Sequence, residues 1–450
     1  MKAFKVGFIA LSKASWATPQ IEGIRKSAVD SLKKLPYTIV QSDLLTTTAA
    51  EASEQCEVMR KQDVSAVIVL FTTFPVGAII PVIAKELDVP IILFATPEKP
   101  QPGKVWAQNS FCGANMAVHT LRKLGRKCTF TFGTADNADE AVRKPLGVIK
   151  CLFDLAASKV GLVGGRVPGF YTSTCDEMLL RKTMGTEVEI LDLLEVVETA
   201  KKLSDADAKK GEEAVRKTAA CCNQRVENDI PPAGRLYAAF LQTAKKYSLN
   251  SFAIRCWPEW SDLYGIAPCS TIGMLNNDHF VTSCEGDVLG AVLMKMEASL
   301  SNGGIPFFAD LISFEYDKNT AVLWHCGAAP SAICKNFAET ELRQHARVDG
   351  GDKKGLVNEF PMKPGRITLA QLDEDNGGYR MLIATGTAIE TEQIIHGNPL
   401  NVKFDCSVEK LVGTIMNEGF KHHYSAIHAD VEKELIELCR WLDITPVVVK

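Results

Sequence analysis

The chain has 450 residues, of which 46% are hydrophobic and 23% are charged, and its 50 Lys and Arg against 54 Asp and Glu give a net charge of -4. This length predicts two or three domains, and the composition is that of a globular protein rather than a disordered or fibrous one. Because the sequence has no basic stripe and no polybasic cluster, we expect neither nucleic acid nor a membrane surface as a partner.

The apolar runs indicate a cytoplasmic protein. The first run, Val6–Leu11, is too short for the apolar part of a signal peptide. The longest, residues 74–84, is broken by prolines and is too short to span a bilayer. The fourteen cysteines are scattered and include no Cys-x-x-Cys, so we interpret them as small buried hydrophobes in a reducing compartment, not as disulfides or a zinc ribbon.

Residues 1–158 are predicted to form a first α/β domain. Apolar strands alternate there with amphipathic helical segments, and continuous apolar strands between helices are typical of a parallel sheet covered on both faces. The predicted strands are Lys5–Leu11, Thr38–Asp43, Ala66–Phe71, Pro90–Thr96 and Cys128–Gly133, with helices such as Gln20–Lys34 and Ala50–Lys61. We expect a Rossmann-like, doubly wound fold.

Residues 159–336 are predicted to form a second Rossmann-like domain. It opens with the glycine-rich stretch Lys159–Gly169, whose spacing matches neither the P-loop nor the dinucleotide fingerprint. We therefore favour a plain strand-to-loop turn over an anion-binding turn. A charged helical region follows at 203–230, and the strand pattern resumes at Ser251–Pro258, His279–Glu285, Pro306–Glu315 and Ala321–Gly327.

Residues 337–450 are predicted to form a smaller, β-rich, barrel-like domain. Glycines and prolines across residues 346–366 indicate a loop or domain boundary. The segments Arg366–Leu372 and Tyr379–Ile389 alternate like antiparallel strands, and a helix at Ile427–Leu442 and a strand at Thr445–Val449 are predicted to end the chain.

Three successive predicted strands end on residues that can ligate a metal or move a proton, namely Glu285, Asp310 and His325. In open α/β sheets the working groups lie just beyond the carboxyl ends of strands, and a buried carboxylate has to be paired, protonated or metal-bound. The neighbouring Asp287 precedes an apolar helix, so we interpret it as a helix N-cap.

The pair His422-His423 lies just before the predicted last helix. One reading is a polar helix entry. The other is that one imidazole ligates a metal while its neighbour orients a hydroxyl group. Two carboxylates and two imidazoles suit Mn²⁺, Co²⁺, Fe²⁺ or Mg²⁺ better than a cation that prefers thiolates.

Arg255, Trp257 and Glu259 end another predicted strand of the same sheet. These side chains are candidates for holding hydroxyls or an anionic tail of a bound molecule and for stacking on its face, and His422 is a further candidate. The alternative is a buried tryptophan beside an Arg–Glu ion pair.

Three strings, Cys284–Ala291, Phe308–Asp310 and Gly419–His423, resemble the L-fucose isomerase and L-arabinose isomerase superfamily. The resemblance covers all three predicted domains and is most specific at 251–336 and 417–450. It implies a hexamer or trimer that uses Mn²⁺ and interconverts an aldose and a ketose through a cis-enediol, with the first domain covering a neighbouring subunit's pocket.

The resemblance also implies roles for individual residues. Glu285 and Asp310 would be ligands and the acid/base pair, and His423 and His325 would be further ligands. Asp310 matches the fucose branch and His325 matches the arabinose branch. The resemblance therefore indicates the reaction class but not the sugar, and deoxy- and sulfo-sugars are among the candidate substrates. A non-catalytic sugar-binding or regulatory protein and a metal-dependent epimerase or aldolase are the alternative functions.

Overall fold

The structure is a computed structural model, and it describes residues 3–99, 102–103, 108–345 and 354–450. The chain divides into two compact units, Met1–Phe153 and Asp154–Lys450. Across the described ranges, no helix is both long and apolar enough to cross a membrane. The prediction of a further boundary at residues 336–337 stays a prediction.

The first unit is built on a parallel sheet, as its apolar strands predict. Its strand order is β2-β1-β3-β4-β5, and every pairing is parallel. Neighbouring residues of one strand belong to two different hydrophobic cores, as Val67 and Ile68 do, so each face of the sheet is covered by its own core. The elements are β1 (Lys5–Leu11), α1 (Pro19–Leu32), β2 (Thr38–Gln41), α2 (Ala49–Lys61), β3 (Ala66–Phe71), α3 (Ile79–Glu86), β4 (Ile91–Ala95), α4 (Ser110–Lys123), β5 (Cys128–Phe132) and α5 (Ala138–Ala156).

The second unit combines a parallel sheet with a larger, mostly antiparallel one. Its first half contains β6 (Lys159–Val163), α6 (Glu177–Met184), β7 (Glu187–Leu191), α7 (Leu193–Lys201), α8 (Asp205–Arg216), β8 (Cys221–Cys222), α9 (Ile230–Tyr247), β9 (Ser251–Ile254), α10 (Trp260–Leu263), α11 (Cys269–Asn277), β10 (Thr282–Cys284) and α12 (Val288–Leu300). Its second half contains β11 (Phe307–Glu315), β12 (Thr320–His325), β13 (Glu341–Gln344), β14 (Leu356–Glu359), β15 (Gly365–Asp375), β16 (Gly378–Ala388), β17 (Asn398–Phe404), α13 (Val408–Glu418), β18 (His423–Ile427), α14 (Glu432–Leu442) and β19 (Thr445–Val448).

The parallel sheet of this unit has the strand order β10-β9-β6-β7. Cys284 lies beside Ile254, which lies beside Val163, so the chain leaves all three strands at one edge of the sheet. After β6 comes the irregular loop that starts at Gly164, in agreement with the predicted strand-to-loop turn.

Strands β11 and β12 correct the predicted sheet order. They do not continue the parallel sheet but pair antiparallel with each other inside the sheet β15-β18-β11-β12-β17-β16-β19. Residues 316–319 connect them as a tight turn, and such a turn joins antiparallel strands, whereas parallel neighbours need a long crossover. The mixed α/β architecture with a β-rich C-terminal sheet is therefore present, whereas the doubly wound arrangement stays a prediction.

The segment His423–Ile427 is a second correction, because it is the strand β18 and not the start of the last helix. It pairs antiparallel with β11 on one side and β15 on the other, and all five residues are buried. Pairing on both edges decides the conformation of so short a run, and helix α14 begins only at Glu432. Of the predicted loop at 346–366, residues 346–353 lie outside the described residues, and β14 occupies Leu356–Glu359.

Candidate active site

Glu285 lies directly after β10, at the carboxyl edge of the parallel sheet, as predicted. It and Gly286 both adopt left-handed backbone conformations, with φ of 60° and 71°. A side chain at Gly286 would bring its Cβ within 2.4 Å of the Gly165 carbonyl oxygen, so this position requires glycine. A left-handed conformation costs a residue such as Glu about 1–2 kcal/mol, and strain of this kind clusters at functional sites.

His423 connects the two sheets at this point. Its Nε2 lies 2.8 Å from Glu285 Oε2 and its Nδ1 lies 2.9 Å from Asp287 Oδ2. Burial alone would lower the pKa of His423, but Asp287 and Glu285 outweigh it and raise the pKa to about 9. In the absence of a cation the imidazolium therefore donates a hydrogen bond to each carboxylate.

Asp287 is the N-cap of α12, as predicted, and it also holds the histidine. Its Oδ1 accepts a hydrogen bond from Gly290 N at 2.8 Å and lies 3.2 Å from Lys421 Nζ, while its Oδ2 faces His423. Burial opposes ionisation, but the charge of Lys421 and the bond to His423 outweigh it and keep the pKa of Asp287 well below its usual range. Its second role and that of Lys421 were not predicted, because Lys421 is 134 residues away in sequence.

Asp310 lies within β11, not at the end of a parallel strand, and this corrects its predicted position. Across the ladders it is paired with His423 on β18 and with Trp324 on β12. Directly paired residues project to the same face with Cβ atoms about 5 Å apart, so Asp310 and His423 are neighbours. Asp310 Oδ1 is buried and, among the residues described, accepts no hydrogen bond. Burial raises the pKa of Asp310, although the nearby His325 and His423 oppose the rise.

His325 ends β12, as predicted, and is 3% exposed. Its ring centroid lies 5.8 Å from that of Phe308, which in turn lies 4.6 Å from the His423 ring. Burial lowers the pKa of His325, but Cys326, Asp310 and Glu285 outweigh it and raise the pKa to about 9. The structure thus places His325 in the same neighbourhood as the two candidate carboxylates.

His422 and Trp257 form an aromatic wall beside Glu285. Trp257 Nε1 donates to Glu285 Oε1 at 3.4 Å, and the His422 ring lies 4.0 Å from the His423 ring. Phe170, from the loop after β6, contacts both with its ring edge at centroid distances of 5.7 Å. Burial and the charge of His423 lower the pKa of His422 to about 4, so its imidazole is neutral. Nothing in the local sequence pattern indicated Phe170.

Arg255 follows β9, one strand from Glu285. Its Nε lies 3.3 Å from Glu259 Oε2, but the two are not aligned as a hydrogen bond, and no other acceptor for this N–H lies among the residues described. A Cβ at Gly164 would lie 3.2 Å from Arg255 Nε, so the absence of a side chain there leaves room for the guanidinium group. The predicted Arg–Glu pair is present at this edge.

The donor set fits a divalent cation. One ligand atom each of Glu285, His422 and His423 lies within 4.8 Å of the others, and this group of the described residues includes neither Asp310 nor His325. Asp310 has a buried oxygen that accepts no hydrogen bond from the described residues. His423 Nε2 faces the cluster while Asp287 holds Nδ1, which is how metal-bound histidines are usually oriented. Carboxylate and imidazole donors favour Mn²⁺, Co²⁺, Fe²⁺ or Mg²⁺. The roles of the four predicted ligands stay predictions.

Two protein-family models match the chain. Residues 7–148 match the N-terminal domain of fucose/sulfoquinovose isomerase, and residues 323–449 match the C-terminal domain of L-fucose isomerase. A curated sulfoquinovose isomerase from Alkalicoccus urumqiensis is 30% identical over 395 residues, covering 86% of this chain and 87% of the relative. Sulfoquinovose isomerases from Priestia aryabhattai and Clostridium sp. (strain MSTE9) are 27% and 24% identical, and each match covers at least 98% of both chains.

Among solved structures, the chain is similar to a solute-binding protein from Actinobacillus succinogenes with bound D-allose, at 11% identity and a TM-score of 0.18. That match covers 67% of this chain and 93% of the other. A score this low carries no conclusion about fold or function.

Proposed function

The chain belongs to the fucose isomerase-like family, and on that premise we propose that it is a cation-dependent aldose–ketose isomerase acting on a sulfonated sugar. The observation that carries the proposal is that Glu285 lies 2.8 Å from His423 Nε2 and that Asp310 is paired with His423 across β11 and β18. Curated relatives named sulfoquinovose isomerase align along almost the whole chain, which supports the choice of substrate class.

The reaction requires two proton transfers. A base removes the weakly acidic proton from C2 and returns it to C1, while a second group moves a proton from the C2 hydroxyl to the C1 oxygen through a cis-enediol. Glu285 and Asp310 are the proposed pair. Both oxygens of Glu285 are positioned, by Trp257 and by His423, whereas Asp310 presents an oxygen without a partner in the described structure.

Glu285, Asp310, His325 and His423 would hold the cation, for which Mn²⁺ is the first choice and Co²⁺, Fe²⁺ and Mg²⁺ are alternatives. When bound, the cation would stabilise the negative charge that develops on the sugar oxygens. Asp287 would keep His423 in the tautomer that presents Nε2, and the rings of Trp257, His422 and Phe170 would form one side of the sugar-binding site.

We assign Arg255 as the group that binds the sulfonate. A sulfonate carries one negative charge and three acceptor oxygens, which suits the planar donors of a guanidinium group. Arg255 lies at the same sheet edge as Glu285, and its Nε–H is buried without an aligned acceptor in the described part of the chain. Glu259 would orient the guanidinium, and Trp257 would pack against the sugar.

Product analysis by NMR in D₂O tests the proposal. The purified chain is incubated with Mn²⁺ and a sulfonated aldose, and with the matching aldose that lacks the sulfonate. Ketose formation from the sulfonated sugar, lost in Asp310→Asn and retained in the control Glu315→Gln, is the expected result. Glu315 lies on the same strand, but its side chain is exposed and pairs with Lys318.

Other outcomes separate the alternatives. Carbon–carbon cleavage would indicate an aldolase, inversion without ketose formation an epimerase, and binding without turnover a sugar-binding protein. A homo-oligomer, trimeric or hexameric, is a further part of the proposal, and light scattering during size-exclusion chromatography measures it.

A further inference from the structure

A second group of potential metal ligands shares no residue with the cluster of Glu285, Asp310 and His423, although one member, Cys326, directly follows His325. Cys269 begins α11, Cys326 follows β12, and His345 follows β13. Their Sγ, Sγ and imidazole nitrogen atoms all lie within 4.8 Å of one another, and Cys269 Sγ is 3.3 Å from His345 Nε2. All three residues are buried, with exposures of 0%, 7% and 6%.

The contact between Cys269 and His345 is close to the separation expected in a tetrahedral thiolate–imidazole site. With Zn–S bonds of about 2.3 Å and Zn–N bonds of about 2.0–2.1 Å, a tetrahedron has S···N edges of about 3.5 Å and S···S edges of about 3.8 Å. The observed contact between Cys269 and His345 differs from the first value by a few tenths of an ångström. The other two separations are at most 4.8 Å, so shifts of about 1 Å or less would bring the three donors onto one ion.

Charge balance also favours such a site in the interior. Two thiols that lose their protons to solvent on binding give two thiolates, which together with a neutral imidazole cancel the charge of a divalent cation. The donor chemistry differs from that of the Glu285 cluster, since sulfur selects thiophilic ions and carboxylates select harder ones.

We propose that Cys269, Cys326 and His345 bind one Zn²⁺ ion or a similarly thiophilic divalent cation. The three donors come from sequence positions up to 76 residues apart, so the ion would tie α11, β12 and β13 together. Structural zinc contributes directly to folding stability. The ion would also lie near the candidate active site, because Cys326 Sγ is 3.6 Å from Nδ1 of His325.

Cobalt spectroscopy of the full chain tests the assignment. Metal-free protein is titrated with Co²⁺, and a thiolate-to-cobalt charge-transfer band in the near ultraviolet is expected, saturating at one ion per chain and abolished by one equivalent of Zn²⁺. Glu285→Gln, which alters the carboxylate cluster, and Cys56→Ser, which removes a buried thiol elsewhere, should both keep the band. Cys269→Ser and His345→Gln should lose or strongly weaken it.

Wild-type protein that binds Co²⁺ without a thiolate band would overturn the proposal, and this outcome does not depend on whether any variant folds. A band that survives Cys269→Ser and His345→Gln but disappears in Cys284→Ser would overturn it as well, because the ion would then occupy other thiols. The melting temperature supplies a second readout. It should rise with Zn²⁺ in wild type and in Glu285→Gln, and an unchanged value in both would contradict the proposed site.

Discussion

Replacing Asp287 by Asn separates its role as a helix cap from its role as a charged partner. The substituted side chain can still cap α12 when its amide oxygen faces Gly290 N, because that oxygen accepts the hydrogen bond. Lys421, whose side chain is only 5% exposed, would lose its counter-ion. Breaking a buried ion pair on one side typically costs about 3–5 kcal/mol, so we expect the free energy of unfolding to fall by that amount.

The substitution should also impair the site through His423. Asp287 has three partners, so the amide that replaces its carboxylate has to turn its NH₂ towards either His423 or the Gly290 and Lys421 side. When it faces His423, Nδ1 has to accept a hydrogen bond and the proton moves to Nε2, which can then no longer ligate. Loss of such a supporting partner weakens metal affinity or activity by about 10–100-fold.

Urea unfolding of metal-free protein, followed by tryptophan fluorescence, measures the change in stability, and four of the six tryptophans follow residue 154. Asp287→Asn, Lys421→Met and the double variant complete a mutant cycle. We expect an interaction energy of at least about 1 kcal/mol, with the double variant more stable than Asp287→Asn. Additive effects, or a loss below about 1 kcal/mol in Asp287→Asn, would refute the reasoning.

Three further substitutions have defined outcomes. Burial raises the pKa of Glu297 to about 8, so the contribution of its neutral form to stability is greatest below pH 4.5 and is lost as the pH rises towards 8. The free energy of unfolding should therefore decline between pH 5 and pH 8, and Glu297→Gln should make this decline about 3 kcal/mol smaller. Urea unfolding at the two pH values measures the difference. Gly286→Ala should lower the melting temperature more than the control Gly377→Ala, because both have a positive φ but only Gly286 would clash, with the Gly165 carbonyl. Arg255→Met should raise KM for a sulfonated aldose roughly tenfold or more while leaving KM for the unsulfonated sugar unchanged, and equal effects on both sugars in steady-state kinetics would contradict sulfonate binding.

The sequence predicted those features that depend on local pattern. Continuous apolar strands between helices indicated the parallel sheet of the first unit, and its strands lie where they were expected. Glu285 was placed after its strand and Asp287 at a helix start because both follow from the order of apolar and polar residues. His325 likewise ends its strand.

Features that depend on long-range pairing could not be predicted. Strand β11 reads as an apolar run whether its neighbours are parallel or antiparallel, so the sheet that carries Asp310 was misassigned. The five residues of β18 are too few for a periodicity to distinguish strand from helix, and their two flanking strands decide the outcome. Cys269, Cys326 and His345 follow no ligand spacing, and only the fold brings them together.

Deuterium incorporation during turnover tests the central claim most directly. With Mn²⁺ and a sulfonated aldose in D₂O, the wild-type chain should form the ketose and introduce solvent deuterium at C1. Glu285→Gln, shown to be folded by circular dichroism, should form neither the ketose nor deuterated aldose. Ketose formation at the wild-type rate by Glu285→Gln, or the absence of any ketose with the wild-type chain, would contradict the account.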